Sequence, residues 1–107
     1  SIPLIMRCSE FRQIDRNRNT KCLLADANAE LMMPVNNEGQ RPTHGEGGLT
    51  VPRTLSELHA MSENDLDLLL DFYERPYENL LVDIPSKMRV LKFYLGVPQP
   101  YLDQHHL

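Results

Sequence analysis

The sequence predicts an α+β fold, with an N-terminal antiparallel β-hairpin or meander followed by a small bundle of three to four short helices. Three observations lead there. Residues 1–35 carry their apolar side chains in short clusters separated by turn-forming residues. Residues 36–53 hold four of the five glycines and few apolar side chains, which makes them a long loop between two halves. Residues 54–96 show repeated helix caps and apolar spacings of three and four. A chain of 107 residues fits one domain around one core, and 41% hydrophobic with 24% charged residues is the composition of a chain that folds.

In the first part, Leu4-Ile5-Met6, Cys22-Leu23-Leu24 and Leu31-Met32-Met33 read as pieces of extended structure, over residues 4–14 and 21–35. Asp15-Arg16-Asn17-Arg18-Asn19-Thr20 reads as the turn between them, because Asn and Asp tolerate positive φ and bond to their own backbone. A second turn is expected at Asp26-Ala27-Asn28. Ala25 to Met33 is open to either strand or short helix, since Ala, Glu, Leu and Met are good helix formers. Cys8 and Cys22 read as free, largely buried thiols: a hairpin turning at Asn17-Arg18 sets Cys22 opposite Gln13 and not opposite Cys8.

The helical part is punctuated by caps. Thr54 with Glu57 forms a capping box for a helix through about Met61, and Ser62 caps the next one, with Glu63 and Asp65 in its first turn. On that second helix Leu66, Leu69, Leu70 and Tyr73 share one side, while Asp67, Asp71 and Glu74 gather opposite. Arg75-Pro76 predicts a break, and Tyr77, Leu80, Leu81 and Ile84 form the stripe of a third helix. Ser86 caps a last helix to Leu95, with Met88, Leu91, Tyr94 and Leu95 inward, Arg89 and Lys92 outward, and Gly96 as its stop. The expected core includes Leu70, Tyr73, Leu81, Leu91 and Tyr94. Residues 97–107 are expected to run as an extended tail.

Charge totals −4 but is unevenly spread. Residues 54–84 carry eight acids against Arg75 alone, whereas residues 1–35 carry five bases against four acids and residues 85–107 three bases against Asp103. Such a segment is a solvated face or a complement to a basic partner. No stretch approaches eighteen apolar residues, and Ser1 to Arg7 lacks the form of a signal peptide. The expected location is cytoplasmic or within a viral or other macromolecular assembly, and Ser1 fits a chain whose initiator methionine has been removed.

Chemistry is sparse in the pattern. Thr43-His44-Gly45-Glu46-Gly47-Gly48 pairs a histidine with a carboxylate on a glycine-rich loop, but it lacks the lysine and following helix of a phosphate loop. His105 and His106 are adjacent and cannot readily share one ion in an extended arm. His59 reads as a helix-boundary residue. No cofactor, no metal and no catalytic set is expected, so the chain reads as a non-enzymatic interaction or assembly subunit docking on a larger protein, such as a phage or viral structural component. The expected partner-contacting residues are His44 and Glu46 on the loop, Asp67, Asp71 and Glu74 on the acidic helix face, and Tyr101 and Leu102 on the tail, which could be removed without unfolding the domain. The alternative is a regulatory binder of the inhibitor or immunity type, setting its acidic face against a basic partner. A third reading is a nucleic-acid-binding pair of helices joined at Pro85, with Lys87, Arg89 and Lys92 as one basic patch and Arg12, Arg16, Arg18 and Lys21 as another. The net negative charge opposes it.

Overall fold

The hairpin that the first 35 residues predict is replaced by one long helix. A computed structural model describes residues 4–73 and 83–103, with side chains from Glu10 onward in that set. Among the described residues there are helices and irregular segments but no strand. The helices are α1 (Leu4–Ala25), α2 (Leu55–His59), α3 (Glu63–Phe72), α4 (Ile84–Leu95) and α5 (Gln99–Leu102), with one short 3₁₀ turn at Glu46–Gly48. The fold is therefore helical, and the α+β reading is corrected. The expected turn at residues 15–20 lies in the middle of α1.

The reason lies in which face of α1 is buried. Phe11 and Ile14 are 54% and 63% exposed, while Asp15 and Asn19 are buried, so, Leu23 apart, the helix turns polar side chains inward. Asn19 is fully enclosed: its Nδ2 donates to the carbonyls of Met32 and Leu95 (both 2.8 Å) and its Oδ1 accepts from the Met32 N–H (2.8 Å). Intrinsic preference disfavours Asn and Asp in helix interiors because their side chains compete for backbone groups. Here those side chains are committed to tertiary partners, and tertiary context overrides the local preference. Cys8 and Cys22 also fall on this helix, about 21 Å apart along its axis, which rules out a bridge between them.

Residues 31–36 form no strand and no helix; they are an irregular, mostly buried segment without a ladder. Each carbonyl from Met32 to Val35 is met by a side chain: Met32 by Asn19, Met33 by Arg41 (2.7 Å), Pro34 by the buried Tyr73 hydroxyl (2.8 Å), and Val35 by Arg12 and Tyr94 (both 3.4 Å). The Leu31 N–H donates to the Arg53 carbonyl (2.7 Å), which fastens the far end of the loop. The loop itself is built and not merely a spacer. Asn36 is buried and its Oδ1 accepts from the N–H groups of Glu38 (2.9 Å) and Gln40 (3.0 Å), closing a tight turn at Gly39.

The three caps lie close to where the sequence puts them. Thr54 accepts from Glu57 N–H, but the Glu57 carboxylate reaches Arg53 N–H (3.1 Å) and not the cap residue. Ser62 and Asp65 form the reciprocal box on α3. On α4 the cap is Asp83, whose carboxylate accepts from Ser86 N–H (2.8 Å), so the helix starts at Ile84 with Pro85 in its first turn. The helix expected over residues 76–84 and its Leu81 lie mostly outside the described residues. Helix α4 is the hub, packing against α1, α3 and α5. The core draws Leu66, Leu69, Leu70 and Tyr73 from α3 and Met88, Leu91, Tyr94 and Leu95 from α4.

Gly96 shows how closely α1 and α4 approach. It takes φ +81° at the helix stop, where Val97 N–H bonds the Lys92 carbonyl (3.0 Å). A Cβ built there would lie 2.4 Å from the Arg16 carbonyl oxygen and 2.8 Å from its Cα, both backbone atoms of α1. The Thr20 hydroxyl donates to the Gly96 carbonyl (2.6 Å) beside the same contact. Gly96→Ala is expected to destabilise the chain by about 2–5 kcal/mol, combining left-handed strain with overpacking. Urea unfolding measures this, and a loss within 0.5 kcal/mol would show that the two helices do not touch there.

Candidate functional site

Helices α1 and α4 are tied together by the Asn19 bond to the Leu95 carbonyl and the Thr20 bond to the Gly96 carbonyl, and residues of both line a groove of ≈ 470 Å³. One wall is Arg12 and Arg16, one turn apart on α1; the other is Arg89, Val90, Phe93 and Tyr94 on α4. The guanidiniums are held. Arg12 donates to the Asn37 carboxamide (2.8 Å) and lies 5.4 Å from the Tyr94 ring centroid, and Arg16 donates to the Phe93 carbonyl (3.1 Å) with its guanidinium 5.6 Å from the Phe93 ring. Arg89 pairs with Asp103. Phe93 is nevertheless 64% exposed. The exposed Phe93 ring thus shares the groove with three guanidiniums, and Arg16 lies over it.

The sequence placed Arg12 and Arg16 in one basic patch and Arg89 in another, but it did not join the two or add Phe93 to them. Arg89 and Lys92 were both expected on the outward side of α4, but Lys92 is fully buried, with its Nζ donating to the Tyr101 carbonyl (2.8 Å). Lys87 is buried too and bonds Glu63 (3.1 Å) and Asp67 (2.8 Å) on α3. Its hydrogen bond to Asp67 and, after that, the one to Glu63 outweigh the burial and raise its pKa above the ordinary lysine value. The basic patch read on α4 is thus largely spent on internal contacts. The usable signal was Phe93, an aromatic residue off the inward face of α4, together with the Arg12 and Arg16 spacing on what proves to be a helix.

The residues expected to contact partners are dispersed. Glu46 and Asp71 share a second, shallower hollow with Arg41, Leu68 and Phe72. His44 stands at its loop and accepts from Val51 N–H through Nδ1 (3.0 Å), a structural tie for the loop. Asp67 belongs to the Lys87 pair. Glu74, His105 and His106 lie outside the described residues. The tail expected to run extended instead turns into α5: Leu102 is 6% exposed within the core, and Tyr101 packs against it. Leu102 is therefore part of the packed domain and not an exposed anchor, because the Lys92 bond and apolar burial hold α5 on α4. Among the described residues no three His, Cys, Asp or Glu side chains converge as a metal site, and no helix is long and apolar enough to cross a membrane.

Comparison with known proteins finds no matching family model, no similar curated protein and no similar solved structure.

Burial pulls the Lys92 ammonium down to about 8 from the ordinary 10.5, with Asp103 opposing the shift. The sign follows from linkage. Below pH 8 both folded and unfolded chains hold the proton, and between 8 and 10.5 the unfolded chain holds more of it, so stability rises with pH across that interval. The buried Tyr73 hydroxyl, raised by desolvation above its ordinary 10.0, works the other way above pH 10. Over pH 8–10 the native chain is therefore expected to gain stability relative to Lys92→Met, which cannot titrate. Paired urea titrations check this; a constant gap would place the Lys92 amine in solvent.

Proposed function

We propose that this chain is a non-enzymatic protein-docking module whose contact surface is the groove between α1 and α4. The observation that carries the reading is Phe93, exposed in a concave surface whose guanidiniums are fixed by the frame beneath them. Such a surface is preorganised: Arg12 and Arg16 lose little freedom on binding, since each is already bonded to the backbone or a side chain of its own chain. Aromatic and arginine side chains are also the residues that most often concentrate binding energy at interfaces. The regulator reading, in which the acidic α3 face meets a basic partner, is weakened because Lys87 already occupies Glu63 and Asp67 from within.

Site-specific photo-cross-linking tests the proposal. A photoreactive residue at position 93, introduced in the native host, is expected to give one dominant protein adduct that disappears when Arg12→Glu and Arg16→Glu are added. The same residue at position 46 reports on the second hollow. Adducts at 46 and none at 93 would move the site to the loop, and adducts at neither would overturn the docking reading.

A further inference from the structure

We infer that the occupant of the α1–α4 groove is an acidic amphipathic helix of a partner protein, an inference that rests on the docking reading above. Charge points there first. The residues lining the groove include Arg12, Arg16 and Arg89, and the carboxylate described beside them, Asp103, pairs with Arg89. Guanidinium forks pair most strongly with carboxylates, and each of these three retains surface toward the groove.

The spacing points to a helix. Arg12 and Arg16 stand four residues apart on α1, and Arg89 and Phe93 four apart on α4. Each pair rises about 6 Å, the separation of side chains four apart on an incoming helix. Both walls are helices whose backbone groups are bonded internally, and the Phe93 carbonyl is further taken by Arg16. Among the described residues there is no strand edge at which an extended peptide could add main-chain hydrogen bonds, so the occupant is recognised through its side chains, as helix-in-groove complexes are. Phe93 and Val90 supply the apolar floor and call for one or two apolar residues between the acids.

A polyanion fits less well. Phosphate backbones need a dense, extended positive surface, and three arginines around one groove, one of them paired with Asp103, do not make one among the described residues.

Fluorescence anisotropy with labelled probes tests the inference on the full chain. The first probe is a peptide of about 18 residues, five helical turns, built from Glu, Ala and Leu with Leu on one stripe. The second is the same peptide with a central Pro, the third has Lys for every Glu, and the fourth is a deoxythymidine oligonucleotide of similar length. The first peptide is expected to bind, weakening with salt, and to lose about tenfold or more in affinity on Pro insertion, on charge reversal, and on Phe93→Ala or Arg89→Gln in the protein. Both positions are exposed, and thermal melting confirms that the variants fold. If the Pro or Lys peptide binds equally well and depends on Phe93, the occupant is not an acidic helix, yet the groove stands as the docking site. If the acidic peptide ignores Phe93→Ala and Arg89→Gln, the groove itself is the wrong place and the docking reading fails with it. Tighter Phe93-dependent binding of the oligonucleotide, or no binding of the acidic peptide at all, overturns the inference.

Discussion

The structure depends on hiding an irregular stretch of backbone, residues 31–36, inside a helical protein. A buried chain normally satisfies its peptide groups in a sheet. Among the described residues no strand lies beside this one, so its carbonyls are met one by one by Asn19, Arg41, Tyr73, and Arg12 with Tyr94. Leaving any one of these acceptors unpaired would cost about 1–3 kcal/mol, a large share of the stability of a small domain. Pro34 suits this path, since it brings no N–H that would need an acceptor.

That requirement shapes the surface as well as the core. The side chains that reach the irregular segment come from α1, α3, α4 and the loop, so one backbone stretch ties four parts of the sequence together. Because α1 spends Asp15 and Asn19 on this task, Asp15 through its pair with Arg41 (2.8 Å), its apolar residues Phe11 and Ile14 face outward. Arg12 and Arg16 fall at the edge of the same buried face. Their bonds to Val35 and Phe93 carbonyls are part of the framework, and the groove they line is rigid for that reason.

Helices α2 and α3 and the end of α4 are legible because their signals are local, whereas α5 falls where an extended tail is expected. Thr54, Ser62 and Gly96 act within a few residues of themselves, and the leucines of α3 keep a regular stripe. Helix α1 was illegible because, Leu23 apart, the buried side chains described on it are polar and their partners lie far along the chain: Asn19 bonds residues 13 and 76 positions away. The pattern of apolar residues carries no period when the core contacts are amides and carboxylates. Lys92 misled in the same way, since nothing local distinguishes a lysine enclosed by α5 from one facing water. The strand and ladder assigned to Leu31–Val35 are not formed: the segment has no regular secondary structure, and side-chain donors from distant parts of the sequence meet its carbonyls, which leaves no pairing pattern in sequence. The groove was hidden for a related reason: its walls come from two elements, and one of them had been read as strands.

Native-state hydrogen exchange at the Met32 amide tests the central claim most directly, because that N–H is held by Asn19 Oδ1 and by no strand. If side chains secure the buried segment, this amide opens only with the whole molecule, and its exchange free energy matches that of global unfolding measured with denaturant. Exchange at the pace of the exposed loop amides, while α3 and α4 stay protected, would show that the segment is not fastened by Asn19 and that the account of the fold is wrong.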